Sequence, residues 1–130
     1  MKRFDLALQY IPGSDDYFVD IYGNVYSLYH YKNGNLRVKK LKANKRSAFS
    51  PYKTVMIKML DGEYKTYYVH RLMMCAYNGI DLEQKDRKMV VDHIDEDKTN
   101  NALFNLQYIT QSENIKKHYE YKNDIEFGNF

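Results

Sequence analysis

The chain has 130 residues, 44% of them hydrophobic and 28% charged, with a net charge of +3, the scale of one domain with a modest core. Its one cysteine, Cys75, excludes an internal disulfide and a cysteine-rich zinc site and fits a reducing, cytoplasmic setting. No apolar run is long enough to cross a membrane, and Asp5 and Gln9 interrupt the opening segment before it reaches the length of a secretion signal.

The charge is unevenly placed. Residues 1–65 hold twelve Lys/Arg against six Asp/Glu, and residues 66–130 hold eight against eleven. From Ile21 to Leu60 there is no acid at all, while Lys32, Arg37, Lys39, Lys40, Lys42, Lys45, Arg46, Lys53 and Lys58 fall there. This is the pattern of a phosphate-binding surface, and equally of a solvated loop whose strand edges are guarded by lysine. Fourteen tyrosines and no tryptophan suit either a half-wet core or a stacking platform for bases.

In chain order, Ile11-Pro12-Gly13 is a break. Tyr17–Tyr22 and Val25–Leu28 flank Gly23-Asn24, which predicts a β-hairpin with a two-residue turn. Residues 30–52 read as a basic loop with a turn at Asn33-Gly34 and one short strand near Leu36-Arg37-Val38. Lys53–Leu60 and Glu63–Val69 flank Asp61-Gly62, the clearest hairpin signal, with Val55, Ile57 and Met59 on one face. His70 to Tyr77 carries apolar residues at helical spacing and stops at Asn78-Gly79. After a polar connector from Asp81 to Lys88 come a strand at Met89-Val90-Val91, a loop, and a strand at Gln107-Tyr108-Ile109. Thr110-Gln111-Ser112-Glu113 then forms a capping box that starts a helix running to about Tyr119.

The chemistry concentrates in that last part. Val90-Val91-Asp92-His93-Ile94-Asp95 is followed by Asn100-Asn101, Asn105 and Thr110-Gln111-Ser112-Glu113-Asn114, so that Asn105 and Asn114 lie 13 and 22 residues after Asp92. Hydrolysis of a phosphodiester needs an activated water, neutralised nonbridging oxygens and a stabilised leaving oxygen. Asp92 and Asn114 are oxygen donors suited to Mg²⁺ or Mn²⁺. His93 is the side chain whose proton affinity suits a general base near neutral pH, and Asn105 is placed to hold its ring in one tautomer.

This constellation resembles the HNH endonuclease family, in which a strand ends in Asp-His, a loop carries Asn and a helix supplies the last metal ligand. The resemblance covers Tyr67 to His118 strongly. Ile11 to Leu28 loosely resembles the small module that often precedes HNH domains in phage and intron-encoded nucleases. The HNH resemblance implies catalytic His93 and Asn105 and metal ligands Asp92 and Asn114, and beside it the basic stretch reads as DNA contacts from Lys32, Arg37, Lys39, Lys40, Lys42, Lys45 and Arg46. Arg71 and Lys117 join those contacts, and His118 is placed beside the site four residues after Asn114.

Two local points bear on the geometry. Adjacent strand residues face opposite sides, so the pair Asp92-His93 is expected where the strand bends into the loop. The family loop commonly reads Asp-Gly-Asn where this chain has Asp95-Glu96-Asp97, so Glu96 occupies a position that often uses glycine's freedom at positive φ. Asn100 and Asn101 read as loop-capping groups. An EF-hand reading of Asp95–Asn100 fails because Asn100 stands where glycine is needed and Leu106 where an acid is needed.

The expectation is an α+β protein in which an N-terminal β-hairpin-rich region precedes a ββα-metal (HNH) nuclease core. The basic β-rich DNA-binding region is 1–66, the nuclease core 67–121 and a tail 122–130. It would act on double-stranded DNA with Mg²⁺ or Mn²⁺, as a monomer or weak dimer without a membrane, in the cytoplasm of a host cell if phage-encoded. The alternative is a catalytically silent DNA-binding module of the same ancestry.

Overall fold

Three tight turns of one kind set the shape of the N-terminal half. In residues 20–24, 31–35 and 59–63 the first residue's N–H bonds the carbonyl of the fifth, and a glycine in the fourth place bonds back to the first. Gly23, Gly34 and Gly62 have φ of 90°, 88° and 90°. An Asp or Asn side chain tightens each turn by accepting an N–H two residues on: Asp20 from Tyr22, Asn33 from Asn35 and Asp61 from Glu63. The sequence predicts a two-residue turn at Gly23-Asn24. The hydrogen bonds from the first residue's N–H to the fifth residue's carbonyl enclose three residues, so each connection is wider.

The computed structural model describes residues 7–83 and 88–127, with side chains through Glu120. The strands are β1 (Gln9–Tyr10), β2 (Tyr17–Val19), β3 (Val25–His30), β4 (Leu36–Lys40), β5 (Asn44–Lys45), β6 (Lys53–Lys58) and β7 (Tyr64–Tyr68). Helix α1 (Val69–Asn78), β8 (Met89–His93), a 3₁₀ turn (Leu103–Asn105), β9 (Leu106–Thr110) and α2 (Gln111–Phe127) follow. Three antiparallel sheets result, ordered β1-β2-β3-β4, β5-β6-β7 and β8-β9. The architecture is α+β, with hairpins ahead of a ββα unit. Half of the connector read as polar loop lies at 84–87, and the end of the tail at 128–130, outside the described residues.

Alternation on β6 buries Val55 and Ile57 and leaves Met56 exposed. Helix α1 inserts Val69, Leu72, Met73 and Met74, each no more than 1% exposed, between the sheets. One cluster joins Ile11, Val19 and Val25 of the first sheet to Val55 and Ile57, to α1 and to Leu106 of β9, and β7 runs across position 66. At about 25 cal/mol per Å² of buried apolar surface this shared core is the main stabilising term. Helix α1 stops at Gly79, which is left-handed at φ 71° and returns its N–H to the Cys75 carbonyl. Helix α2 starts with the capping box, since Thr110 Oγ1 accepts from the Glu113 N–H and Glu113 Oε1 accepts from the Thr110 N–H. It continues to Phe127, well past the predicted end near Tyr119.

Asp20 holds the turn nearest the ββα unit. Its carboxylate, 1% exposed, accepts from the N–H groups of Tyr22 and Asn24, the Asn24 carboxamide and the Tyr26 hydroxyl. Burial, aided by the hydrogen bond and charge of Asp20, pushes the Tyr26 hydroxyl up to about 12. Asp20→Ala orphans four donors and is expected to cost about 3 kcal/mol, measured as a shift of the urea midpoint at constant slope. A change under about 0.5 kcal/mol would mean the turn is held by other contacts.

Candidate active site

Strand β8 stays paired to its last residue, with Asp92 opposite Gln107 and His93 opposite Leu106. The bend expected at Asp92-His93 is absent. Both residues sit in regular pleated strand, and their side chains go to opposite faces. Each face is covered, so Asp92 is 2% and His93 1% exposed.

On the α1 face, His93 joins a group of rings. His70, from the first turn of α1, meets it edge-on at 5.2 Å between centroids, and Tyr52 lies at 6.0 Å. Tyr68 stacks on His70 at 5.3 Å. Burial, with the His93 and Arg71 charges, lowers His70 to about 3, so it is a neutral ring at working pH. His93 Nε2 lies 2.9 Å from Asn101 Oδ1. A carboxamide oxygen only accepts, so Nε2 carries the proton and Nδ1 keeps the lone pair.

The residue on the imidazole is therefore Asn101, where the sequence points to Asn105. The Asn105 side chain instead locks the loop: its Oδ1 accepts the Asp95 N–H, and its Nδ2 donates to Asp95 Oδ1 and to the Asn100 carbonyl. The 3₁₀ turn sets this outcome by directing Asn105 back under the Asp95 turn, while Asn101 is held against the first sheet. The Leu103 N–H bonds the Ile21 carbonyl, and a Cβ built on Gly23 would lie 2.7 Å from the Asn101 carbonyl oxygen. Asn100 is a loop cap, as expected, donating to Asp95 Oδ2.

On the α2 face, Asp92 Oδ2 accepts from Gln107 Nε2 at 2.8 Å and lies 3.2 Å from Lys117 Nζ. The same ammonium is 3.3 Å from the His93 carbonyl oxygen and bonds Glu96 Oε1. Lys117, expected at the DNA backbone, is thus turned inward, because three acceptors converge on it where α2 crosses the end of β8. Burial by itself would raise the Glu96 carboxyl, but Lys117, Lys98 and His118 together hold it below its usual range. Glu96 has φ 66°, so this position is left-handed without a glycine.

Asn114 lies one helical turn before Lys117 and on the same side of α2. It is half-buried, with no hydrogen bond of its side chain among the described residues. His118 Nδ1 lies 3.5 Å from Glu96 Oε2. A cation site is thus assembled from oxygen donors alone, Asp92 and Glu96 with the His93 carbonyl, and a positive charge already sits among them. Oxygen donors of that kind suit a hard divalent ion such as Mg²⁺ or Mn²⁺, and Asn114 carries a carboxamide on the same helix side.

The candidate DNA contacts Lys32, Arg37, Lys39, Lys40, Lys42, Lys45 and Arg46 are all exposed, in the turn before β4, on β4 and around β5, and Arg71 is half-buried on α1. A cavity of about 340 Å³ lined by Lys40, Lys42 and Lys53 on one side reaches Thr99 and Asn101 on the other. The basic surface therefore ends at the residue that holds the His93 ring. Sequence reasoning missed Asn101, His70 and Tyr52 as neighbours of His93. Each comes from a different element, and only Asn101 lies within the motif.

The profile of the HNH endonuclease family matches residues 67–116, from β7 to the first turns of α2. Over those residues the chain is similar to the HNH endonuclease family. It is 32% identical over 106 residues, 82% of its length, to an uncharacterized HNH endonuclease of Acanthamoeba polyphaga mimivirus, of which it covers 24%. It is also similar to the HNH homing endonuclease I-HmuI, a structure described as DNA binding and cleavage by that enzyme. There the TM-score is 0.62 at 29% identity, over 96% of this chain and 61% of the other. The chain thus spans about a quarter of the viral relative and under two thirds of the homing endonuclease. Among the described residues no helix is long and apolar enough to cross a membrane.

Proposed function

We propose that this HNH protein is a divalent-metal-dependent endonuclease that hydrolyses duplex DNA, cutting one strand per engagement. His93 is the general base, and Asp92 and Asn114 are the protein ligands of Mg²⁺ or Mn²⁺. The observation that carries this reading is the end of β8, where an imidazole fixed in one tautomer by Asn101 directly follows a buried carboxylate facing a cation.

When bound, the metal neutralises charge on a nonbridging oxygen and stabilises the leaving 3′ oxygen. The chain's own residues do the rest. His93 Nδ1 takes the proton of the attacking water as its oxygen bonds to phosphorus and the bond to the 3′ oxygen breaks. Asn101 Oδ1 keeps its hydrogen bond to Nε2–H as the ring becomes imidazolium, holding its orientation and offsetting its charge. Neutral His70 opposes that charge less than a second cation would. Asn105 acts on the loop, keeping Asp95–Asn101 in the shape that presents Asn101.

Lys40, Lys42 and Lys53 line the path by which a phosphate backbone reaches Asn101. Replacing any one of them with alanine is expected to weaken duplex binding about equally for all sequences. It should also reduce the slope of log affinity against log salt by about 1. Unchanged slopes for all three would place the duplex on another face. The reading as a whole is tested by incubating the full chain with supercoiled plasmid and Mg²⁺ or Mn²⁺, with EDTA and Asp92→Asn as controls. Open circles that vanish in both controls support the nuclease. Retention of the plasmid without nicking in either metal would favour a silent DNA-binding module.

A further inference from the structure

Lys117 is the unusual member of the site. Its ammonium lies 3.2 Å from Asp92 Oδ2 and 3.3 Å from the His93 carbonyl oxygen, and it bonds Glu96. A lysine and a divalent ion both seek carboxylate oxygens, and two cations within a few ångströms of each other repel strongly where the surroundings are dry. Asp92 is 2% exposed and the Glu96 side chain 14%. The two positive charges therefore cannot share Asp92 comfortably.

Glu96 gives Lys117 a second place to rest. It holds a left-handed backbone conformation that a non-glycine residue adopts at a cost of about 1 kcal/mol. A carboxylate kept at such a position has a compensating contact, and here that contact is Lys117, with Lys98 at 3.7 Å and His118 at 3.5 Å on its other oxygen. Lys117 bridges the two carboxylates, and its flexible stem lets the ammonium leave one for the other.

We propose that Lys117 is a built-in competitor for the divalent ion. In the free chain its ammonium occupies the cation position at Asp92, and metal uptake moves it fully onto Glu96. This rests on the reading of Asp92 as a metal ligand. It predicts that the free protein holds the ion weakly and that removal of Lys117 tightens the hold.

The test is Mn²⁺ binding to the full chain without DNA, followed by titration calorimetry and by the electron paramagnetic resonance signal of free Mn²⁺. Lys117→Met keeps most of the stem, and Lys117→Gln keeps a polar end, so that one folded variant suffices. Folding is confirmed by the cooperativity of thermal unfolding. Either variant is expected to bind Mn²⁺ about tenfold more tightly than wild type, the low end of what one displaced unit charge at this separation can produce. Asp92→Asn should abolish the binding in both backgrounds, which ties the signal to this site.

Glu96→Gln separates the resting place from a direct ligand. It should weaken Mn²⁺ binding when Lys117 is present and have little effect in the Lys117→Met background. An equal loss in both backgrounds would make Glu96 a direct ligand and overturn the transfer of Lys117 onto it. Unchanged or weaker binding by the folded Lys117 variants would overturn the competition, while the metal reading stood. Absence of Mn²⁺ binding in wild type and variants alike would overturn both.

Discussion

His93→Ala is expected to lower the single-turnover rate of plasmid nicking by about 10²–10⁴-fold, the usual contribution of a positioned general base. The imidazole is 1% exposed, donates Nε2–H to Asn101, and packs edge-on against His70 at 5.2 Å. Its removal takes away the proton acceptor and also leaves a space among rings, so stability must be followed beside rate. His93→Gln fills more of that space and keeps a hydrogen-bonding end, and should fold better while remaining equally slow. The exposed lysines of β4 are untouched, so both variants should retain duplex DNA in a gel-shift measurement. A folded His93→Ala protein nicking within about tenfold of wild type would assign the proton to another group.

Gly23→Ala is expected to reduce nicking by about 10²-fold although Gly23 touches neither the imidazole nor the cation site. Two effects coincide there. Its φ of 90° is unfavourable for any side chain, and a Cβ would lie 2.7 Å from the carbonyl oxygen and 2.9 Å from the Cβ of Asn101. The obstacle is largely backbone, so relief requires Asn101 to shift, and with it the hydrogen bond that orients His93. Gly34→Ala is the matched control, since it has φ 88° and nothing within 4 Å of the added carbon. Both variants should lose about 1 kcal/mol of stability from the backbone term, but only Gly23→Ala should lose rate. Equal rates would mean that the N-terminal sheet can move without disturbing the His93 ring.

These two expectations divide the site into what could be read from the chain and what could not. The hairpins, the helix ending at Gly79 and the capping box at Thr110 were legible, because each depends on residues a few positions apart. The turn widths were not, since Asn-Gly and Asp-Gly pairs fit several turns and only the observed φ values separate them. The Asp92-His93 pair was legible as chemistry, but the expectation of a bend there failed. Strand β8 is covered on both faces, so opposite-facing side chains can each be buried and used.

Asn101 and Asn105 show a finer limit. Both are carboxamides in one loop, and which of them meets the imidazole depends on the first sheet, 78 residues earlier in the chain, pressing Gly23 against Asn101. Lys117 shows the same limit for charge. Helical spacing places it near Asn114 but does not say that two carboxylates and a carbonyl will draw it inward.

The most direct measurement of the central claim is the chemistry of the ends. Supercoiled plasmid should be nicked by the wild-type chain with Mn²⁺, the open circles purified, and DNA ligase added. Water attack with departure of the 3′ oxygen leaves a 5′ phosphate and a 3′ hydroxyl, so the account predicts that the nicks reseal. Nicks that resist ligation until their ends are enzymatically converted would contradict it.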